Sequence, residues 1–369
     1  MFLLLKTQDF MYNEDGDDMV GILLERDYAS SLWGQNLYNS LIRKLRLNRI
    51  TYCHIDGTCP DNLDTVFIIA SNKNWTLHVI KQLNKGGIRP ILLCSQYENL
   101  PGCIYNCVCS DIDTSMQNLL DTLKGQGRNR IALYGINPQS IGDIGRVNSL
   151  LTWKKPIYDS IQVFNNKGSL QKCFDDFFVH IDEFDIVICA NGFAAVSLVK
   201  NLQNQNPEQL ERIQIVSCVA NRLSDYHRKH IISWNINFEQ YGQAALYIYR
   251  ELAKHPYLAE ITVKIACTYD NNQVPSEAVP VEMDLNKNED SFYSDPELRE
   301  MLIVDKYLTL SDKIEQTIIE SFIQDLSYNE IADQCFFTVS GIKYRTQSLL
   351  EKIGAESKTQ LIELLKKYT

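Results

Sequence analysis

The sequence predicts an α/β fold with two lobes, each built on a doubly wound parallel sheet, followed by a small all-α domain of four helices. From residue 19 onward, short apolar runs alternate with amphipathic segments, which is typical of parallel sheets flanked by helices. The runs form two consecutive series with too many strands for one compact sheet, so we expect two lobes with a cleft between them. From Leu310 onward, the apolar residues recur at helical spacing only.

The predicted elements follow this division of the chain. In the first series the strands are residues 20–24, 50–54, 65–70, 90–94 and 104–109, and the helices are 31–45, 75–85 and 115–125. In the second series the strands are 130–134, 186–190, 213–219, 231–236 and 261–267, and the helices are 142–153, 194–204 and 240–254.

Several aromatic and polar residues follow predicted strands, at the edge where open α/β sheets bind their ligands. Tyr28 and Trp33 follow the first strand and either stack on a ligand ring or cap the core of the lobe. Asn191 follows a buried strand, where its side chain either points into the cleft or forms an Asx turn. Asn221 and Trp234 are further candidate ligand contacts.

Composition limits the possible functions. The net charge of -10 argues against a general nucleic-acid coat, so any contact with DNA must be local. The eleven cysteines are scattered and odd in number, and the apolar start Phe2 to Leu5 is soon followed by acidic residues. These features predict a cytoplasmic protein with reduced thiols, no membrane association and no signal peptide. No metal or cofactor is expected, since the cluster Cys103, Cys107 and Cys109 lacks zinc-site spacing.

The four C-terminal helices are predicted from their capping residues. Ser311 is expected to cap the first, and Ser327 opens the second with Glu330 at capping-box spacing. The third follows a tight turn and ends at Gly354, and Ser357 caps the last. A short helix, a turn and a longer helix form a helix-turn-helix, whose second helix can enter a DNA major groove.

The outer face of the third helix carries groups that suit phosphates and base edges. The predicted DNA-contacting residues are Ser340, Gly341, Lys343, Tyr344, Arg345 and Gln347. The alternative is a small helical bundle that docks another protein.

This segment resembles the LuxR/GerE-type DNA-binding domain. The resemblance rests on Leu310-Ser311, Ser327 to Ala332, Ile342-Lys343 and Lys352 to Gly354. Gly341 stands where the family usually has threonine, and Arg345 where it usually has histidine. The resemblance implies binding of double-stranded DNA by a homodimer, with a base preference that differs from the family norm.

The preceding part of the chain resembles the sensor domain of LacI-type regulators and the periplasmic sugar-binding proteins. The resemblance rests on Val20 to Trp33, Gly127 to Ala132, Arg146, Ala190-Asn191 and Asn237 to Ala245. The resemblance implies that Arg146 is the family's ligand-binding arginine. The alternative is that Arg146 forms an interlobe salt bridge. The family's aspartate after "A-N" is Gly192 here, and a later acidic strand end is Val219-Ala220-Asn221. Because aspartate normally takes paired sugar hydroxyls, these departures argue against a standard monosaccharide.

The two resemblances imply a division of the chain. The tail is 1–18, too short for the DNA-binding head that begins LacI-type chains, and the sensor is 19–283. Lobe one is expected at 19–128 plus 236–257, and lobe two at 129–235 plus 258–283. Residues 284–306 are a predicted linker, whose acidic first part precedes a helix at 297–307, and residues 307–369 are the DNA-binding domain.

The expected function is a ligand-responsive transcription regulator with a small-molecule, carbohydrate-like effector. The alternative is an interaction protein whose lobes have lost ligand binding. An enzyme is not expected, because no dinucleotide loop, Walker-type loop or Ser-His-Asp order is present.

Overall fold

The computed structural model describes residues 19–29, 32–55, 63–97, 99–138, 140–152, 160–166, 168–269 and 295–369. The predicted tail 1–18 and residues 270–294, which include the acidic first part of the predicted linker, lie outside these ranges. In chain order the strands are β1 (Val20–Leu24), β2 (Tyr52–His54), β3 (Thr65–Ile69), β4 (Arg89–Leu93), β5 (Asn106–Ser110), β6 (Arg130–Ile136), β7 (Ser160–Asn165), β8 (Ile186–Cys189), β9 (Gln214–Ser217), β10 (Ile231–Ile236), β11 (Thr262–Ile265) and β12 (Cys267–Tyr269).

The helices in chain order are α1 (Arg26–Ala29), α2 (Leu32–Leu47), α3 (Lys73–Lys85), α4 (Ile112–Gly125), α5 (Ile141–Thr152), α6 (Leu170–Phe178), α7 (Gly192–Gln205), α8 (Pro207–Arg212), α9 (Arg222–Tyr226), α10 (Phe238–Lys254), α11 (Pro296–Leu310), α12 (Lys313–Ile323), α13 (Tyr328–Cys335), α14 (Val339–Ile353) and α15 (Lys358–Tyr368). Within the described ranges, no helix is both long and apolar enough to cross a bilayer.

Two six-stranded sheets confirm the predicted α/β architecture. The first, in lobe one, has the order β11-β5-β4-β3-β1-β2 and its pairs are parallel. The second, in lobe two, has the order β12-β10-β9-β8-β6-β7, with β12 antiparallel to β10. Strands covered by helices on both faces are apolar throughout, and every residue of Thr65–Ile69 is buried.

The lobe boundaries differ from the predicted ones at two places. Residues 112–128 were expected in lobe one, but Met116 and Leu120 of α4 pack with strands of the second sheet, so this helix belongs to lobe two. The expected single strand at 261–267 is divided, because β11 pairs with β5 in lobe one and β12 pairs with β10 in lobe two. The chain therefore crosses between the lobes at residues 111, 237 and 266.

The sequence analysis missed β7 and α6, both in lobe two. The first is a short edge strand of mixed polarity, SIQVFN, and carries little local signal. The second is clearly amphipathic, with buried Leu170, Cys173, Phe174 and Phe177 at helical spacing, so its periodicity predicts it. Ser169 caps it by accepting a hydrogen bond from the Lys172 N–H.

The C-terminal helices α12 to α15 match the four predicted ones, with one corrected cap. Ser311 ends α11, and Asp312 caps α12 in a capping box with Glu315. The caps predicted at Ser327, Gly354 and Ser357 are present.

The helix predicted at 297–307 is present as α11, but its assignment to a linker is wrong, because the helix is part of a hydrophobic core. This helix buries Leu298, Met301 and Val304 completely. One continuous hydrophobic core contains residues of all five helices from α11 through α15 together with residues of α6 and α7 in lobe two. We call residues 295–369 the C-terminal module; it is packed on lobe two rather than tethered to it.

Candidate functional sites

The carboxyl ends of the two sheets face each other across the cleft. Asn72, after β3, forms an isolated backbone bridge with Ser140, after β6. A Cβ atom on Gly142 of α5 would overlap the hydroxyl of Ser95, which follows β4. The backbone at Gly142 therefore lies close to Ser95 of the opposite lobe, and the two lobes are in direct contact beside the cleft.

Arg146 lies at this edge within lobe two. Its Nη2 pairs with Asp143 one turn earlier in α5 and donates to the Ala190 carbonyl at 3.3 Å, while Asp143 accepts from the Asn137 N–H at 2.8 Å. The expected interlobe salt bridge is thus a salt bridge inside one lobe. Burial raises the pKa of Asp143, although the Arg146 guanidinium and the Asn137 N–H favour its charged form.

Asn191 and Asn221 both cap helices that begin at the cleft. The Asn191 side chain accepts from the Ala194 N–H at 3.0 Å, which confirms the alternative of a local turn. Asn221 accepts from the Ser224 N–H at 2.8 Å, and the Ser224 hydroxyl accepts from the Asn221 N–H at 2.9 Å. Both carboxamide oxygens are therefore used by the fold, so a ligand can be offered only their N–H groups.

Gly192 and Asn221 are complementary in space. A Cβ on Gly192 would lie 2.5 Å from Asn221 Oδ1 and 2.8 Å from its Cγ. A Cβ atom essentially never makes nonbonded contacts this short, so the carboxamide of Asn221 occupies the space that a side chain at residue 192 would need. The absence of an aspartate at 192 and the presence of asparagine at 221 are therefore linked.

Trp33 lies in the core of lobe one, as the alternative for this residue predicted. Its ring makes edge contacts with Phe238 at 5.1 Å and Tyr241 at 6.3 Å between ring centroids. Tyr28 packs partly buried against the same core. Burial lowers the pKa of Arg146, but Asp143 outweighs burial and raises it, and Tyr28 adds a smaller contribution in the same direction. Trp234 lies in β10, with its backbone paired to Tyr269, and its side chain is outside the described part of the structure.

Comparison with known proteins gives a match in structure only. No protein-family model and no curated protein matches the chain. The solved structure of a LacI transcriptional regulator from Bacillus cereus subsp. cytotoxis matches with a TM-score of 0.54 and 13% identity, covering 69% of this chain and 96% of that one. Caulobacter myo-inositol binding protein, bound to myo-inositol, matches with 0.54 and 13%, covering 69% and 93%. The Lac repressor bound to ONPG matches with 0.57 and 8%, covering 70% and 83%.

The chain has a periplasmic-binding-protein-like fold. At these identities the likeness establishes the fold alone. The cleft between the lobes of this periplasmic-binding-protein-like part is therefore the place to look for a ligand, on the general rule for open parallel sheets.

The predicted helix-turn-helix corresponds to α13, the turn after it and α14, all in the C-terminal module. Phe336 ends α13 with a positive φ of 57°, and Thr338 then caps α14 by accepting from the Gly341 N–H at 3.1 Å. Inside the module, α14 buries Ile342, Leu349 and Ile353. Its outer side exposes four of the six predicted DNA-contacting residues, which are Ser340, Lys343, Tyr344 and Gln347.

The other two predicted DNA-contacting residues have structural contacts. Arg345 is half-buried, forms an ion pair with Asp312 at 3.0 Å and lies over the Phe337 ring at 5.2 Å. Gly341 is half-buried at the start of the helix, where a Cβ would lie 3.2 Å from the capping Thr338 hydroxyl. Gly341 thus favours a tight cap, and Arg345 ties α14 to the start of α12.

The sequence analysis missed the aromatic residues of the turn. Phe336 is 96% exposed and Phe337 is 38% exposed. In the sequence, two consecutive phenylalanines stand between the polar end of a helix and a capping threonine. A short turn cannot bury both rings, so this pattern predicts exposed aromatic residues here.

Proposed function

We propose that the protein is a cytoplasmic, ligand-responsive transcription regulator that binds a small, sugar-like molecule in the cleft and DNA through α14. The observation that carries this proposal is the exposed polar outer side of α14, directly after a capped turn. Ser340, Lys343 and Gln347 offer the donors and acceptors that direct readout uses, and Tyr344 offers an apolar ring for a thymine methyl. A homodimer would present two such helices to successive half-sites.

Ligand binding is supported by unpartnered donors in and beside the cleft. Among the described residues at the cleft edge, Arg146 Nε and Asn221 Nδ2 are buried without a hydrogen-bond partner. Their residues are only 5% and 3% exposed. Leaving such a donor unsatisfied costs about 1–3 kcal/mol, which a ligand with hydroxyl or carbonyl oxygens would remove.

Charge requires the DNA contact to be local. Residues 310–369 carry seven Lys and Arg against nine Asp and Glu, a net of -2. Arg345 is already paired with Asp312, which leaves Lys343 as the exposed cation on the outer side of α14. Few phosphates can therefore be neutralised, and the complex should have a shallow salt dependence.

Capture of genomic duplex fragments by the purified full chain tests the proposal. Sequencing of the bound fragments should show enrichment of one sequence with two-fold symmetric half-sites separated by about one helical turn. Recovery of fragments at their input frequencies would reject DNA recognition.

A second candidate function is a protein that docks a partner through the same surface. It is favoured by the exposed rings of Phe336 and Tyr344 beside an acidic module, since exposed aromatic residues are enriched at protein interfaces. This function predicts no DNA enrichment, and a loss of partner binding on Phe336→Ser with the fold intact.

A further inference from the structure

The short helix α9 begins at the cleft, and the side chain of His227, which follows its last residue, is buried. Its cap is Asn221, which follows β9 at the carboxyl edge of the second sheet and carries one of the unpartnered donors. The side chain of Leu223, the second residue of the helix, is completely buried in the core that lobe two shares with the C-terminal module. The helix therefore touches the candidate ligand site at one end and the module along its length.

The C-terminal module is hydrogen-bonded to both ends of α9. At the start, the Leu223 N–H donates to Asp305 Oδ1 of α11 at 2.9 Å. At the end, His227 Nε2 donates to the Tyr368 carbonyl at 2.7 Å. The side chains of Asp305 and His227, which form these bonds, are buried, and so is Leu223. Water therefore does not replace either bond easily.

Helix α11, which contacts α9, also contacts α14 of the predicted helix-turn-helix, as well as α15. At its own start, Asp295 Oδ2 accepts from the Leu170 N–H of α6 at 2.7 Å. A displacement of α9 relative to lobe two therefore cannot leave α11 and α14 undisturbed.

We propose that α9 couples the cleft edge at Asn221 to the C-terminal module, so that the state of the Asn221 cap sets the position and order of α11 and α14. The module then responds to lobe two through this helix. The regulatory consequence rests on the proposed function, in which a ligand oxygen accepts from Asn221 Nδ2. The physical coupling itself needs neither DNA nor a ligand.

Hydrogen exchange of the full chain, without DNA or effector, tests this coupling. Asn221→Ala removes the capping oxygen and should accelerate exchange of the α9 amides roughly fivefold, which corresponds to a typical capping contribution. The same acceleration should reach amides of α11 and α14, while β3 and β4 of lobe one keep their wild-type rates. Acceleration confined to α9 would overturn the proposal.

Two further variants separate coupling from general destabilisation. Asn206→Ala removes a cap of the same kind in the same lobe, where Asn206 accepts from the Gln209 N–H at 3.2 Å at the start of α8. Its effect should stay in α8 and its neighbours, and equal acceleration in α14 would contradict a specific role for α9. Asn221→Ser keeps a good capping oxygen and should return α11 and α14 to near wild-type exchange. Acceleration there as large as in Asn221→Ala would also contradict the proposal.

If the fragment capture finds no DNA sequence but exchange still spreads from Asn221→Ala to α14, the coupling stands and only the DNA-binding function fails. If DNA is recognised and exchange stays local, the coupling fails alone.

Discussion

The carboxylate of Asp305 accepts a hydrogen bond from the backbone N–H of Leu223, 2.9 Å away and 82 residues earlier in the chain. This bond joins the helix-turn-helix module to the lobe that carries most of the candidate ligand contacts. Burial raises the pKa of Asp305 to about 7, with Asp225 nearby adding to the effect and the Leu223 N–H opposing it. We therefore expect the titration of Asp305 to make the free energy of unfolding depend on pH.

Because the folded-state pKa of Asp305 lies above its unfolded value, its contribution to stability is complete below about pH 4 and is lost as the pH rises through 7. Asp305→Asn keeps the accepting oxygen and cannot ionise. We expect the unfolding free energy of this variant, relative to wild type, to increase on the order of 1 kcal/mol per pH unit between pH 5 and 7. Urea unfolding at several pH values measures it, and parallel curves for the two proteins would show that Asp305 does not titrate in this range.

Asp295 holds the start of α11 on lobe two. Its carboxylate accepts from the Glu297 N–H at 3.0 Å and from the Leu170 N–H at 2.7 Å, and it is buried. Asp295→Ala removes a cap and leaves a buried donor without a partner, so we expect a loss of roughly 2–4 kcal/mol in unfolding free energy. Asp312→Ala, which removes the exposed cap of α12, should cost only about 1 kcal/mol. Equal losses in chemical denaturation would mean that the bond to Leu170 contributes little.

Gly142 allows the lobes to meet. Its missing Cβ would overlap the Ser95 hydroxyl and lie 3.1 Å from the Ser95 Cβ, so Gly142→Ala should push the lobes apart. Gly125→Ala in α4 is the matched control, since nothing lies within 4 Å of its Cβ position. Small-angle X-ray scattering should show a larger radius of gyration for Gly142→Ala only. An unchanged radius would mean that Ser95 yields and that this contact does not limit closure.

Arg146 and Asp143 form a buried pair, so loss of one leaves the other charged and unpaired. Arg146→Met is expected to cost roughly 3–5 kcal/mol, whether or not a ligand binds there. The double variant Arg146→Met with Asp143→Asn, which keeps an acceptor for the Asn137 N–H and carries no charge, should recover most of this loss. A double variant as unstable as the single one would show that the cost arises from packing rather than from an unpaired charge. Ligand affinities measured on Arg146→Met alone therefore cannot assign a binding role.

Much of the fold follows from local pattern. The strands Val20–Leu24 and Ile231–Ile236 were predicted to the residue, because each is a short, mainly apolar run that ends at a polar residue, Glu25 or Asn237. The module helices were predicted from caps, which are local by nature: Ser327 needs only Glu330 three residues later. Ser311 failed as a cap because its neighbour Asp312 has a stronger acceptor and its own partner in Glu315.

The remaining features depend on contacts distant in sequence. Nothing local indicates that 261–267 divides between two sheets, because both halves are short and of mixed polarity and only their partners β5 and β10 differ. The burial of α11 could not be predicted either, because this helix follows an acidic segment in the sequence and is buried through contacts with lobe two. The candidate site residues were found by position after strands, but the capping roles of Asn191 and Asn221 and the pairing of Arg345 with Asp312 required the structure.

The central claim is that the outer side of α14 binds DNA, and Lys343→Ala tests it most directly. Affinity of the full chain for duplex DNA, measured by fluorescence anisotropy at several salt concentrations, should fall for specific and mixed-sequence duplexes alike. The slope of log affinity against log salt should decrease in magnitude by about 0.9, the value for one lost phosphate contact. Lys366→Ala, which removes an exposed lysine from the end of α15, should leave affinity and slope near wild type. Unchanged affinity and slope for Lys343→Ala would contradict the claim.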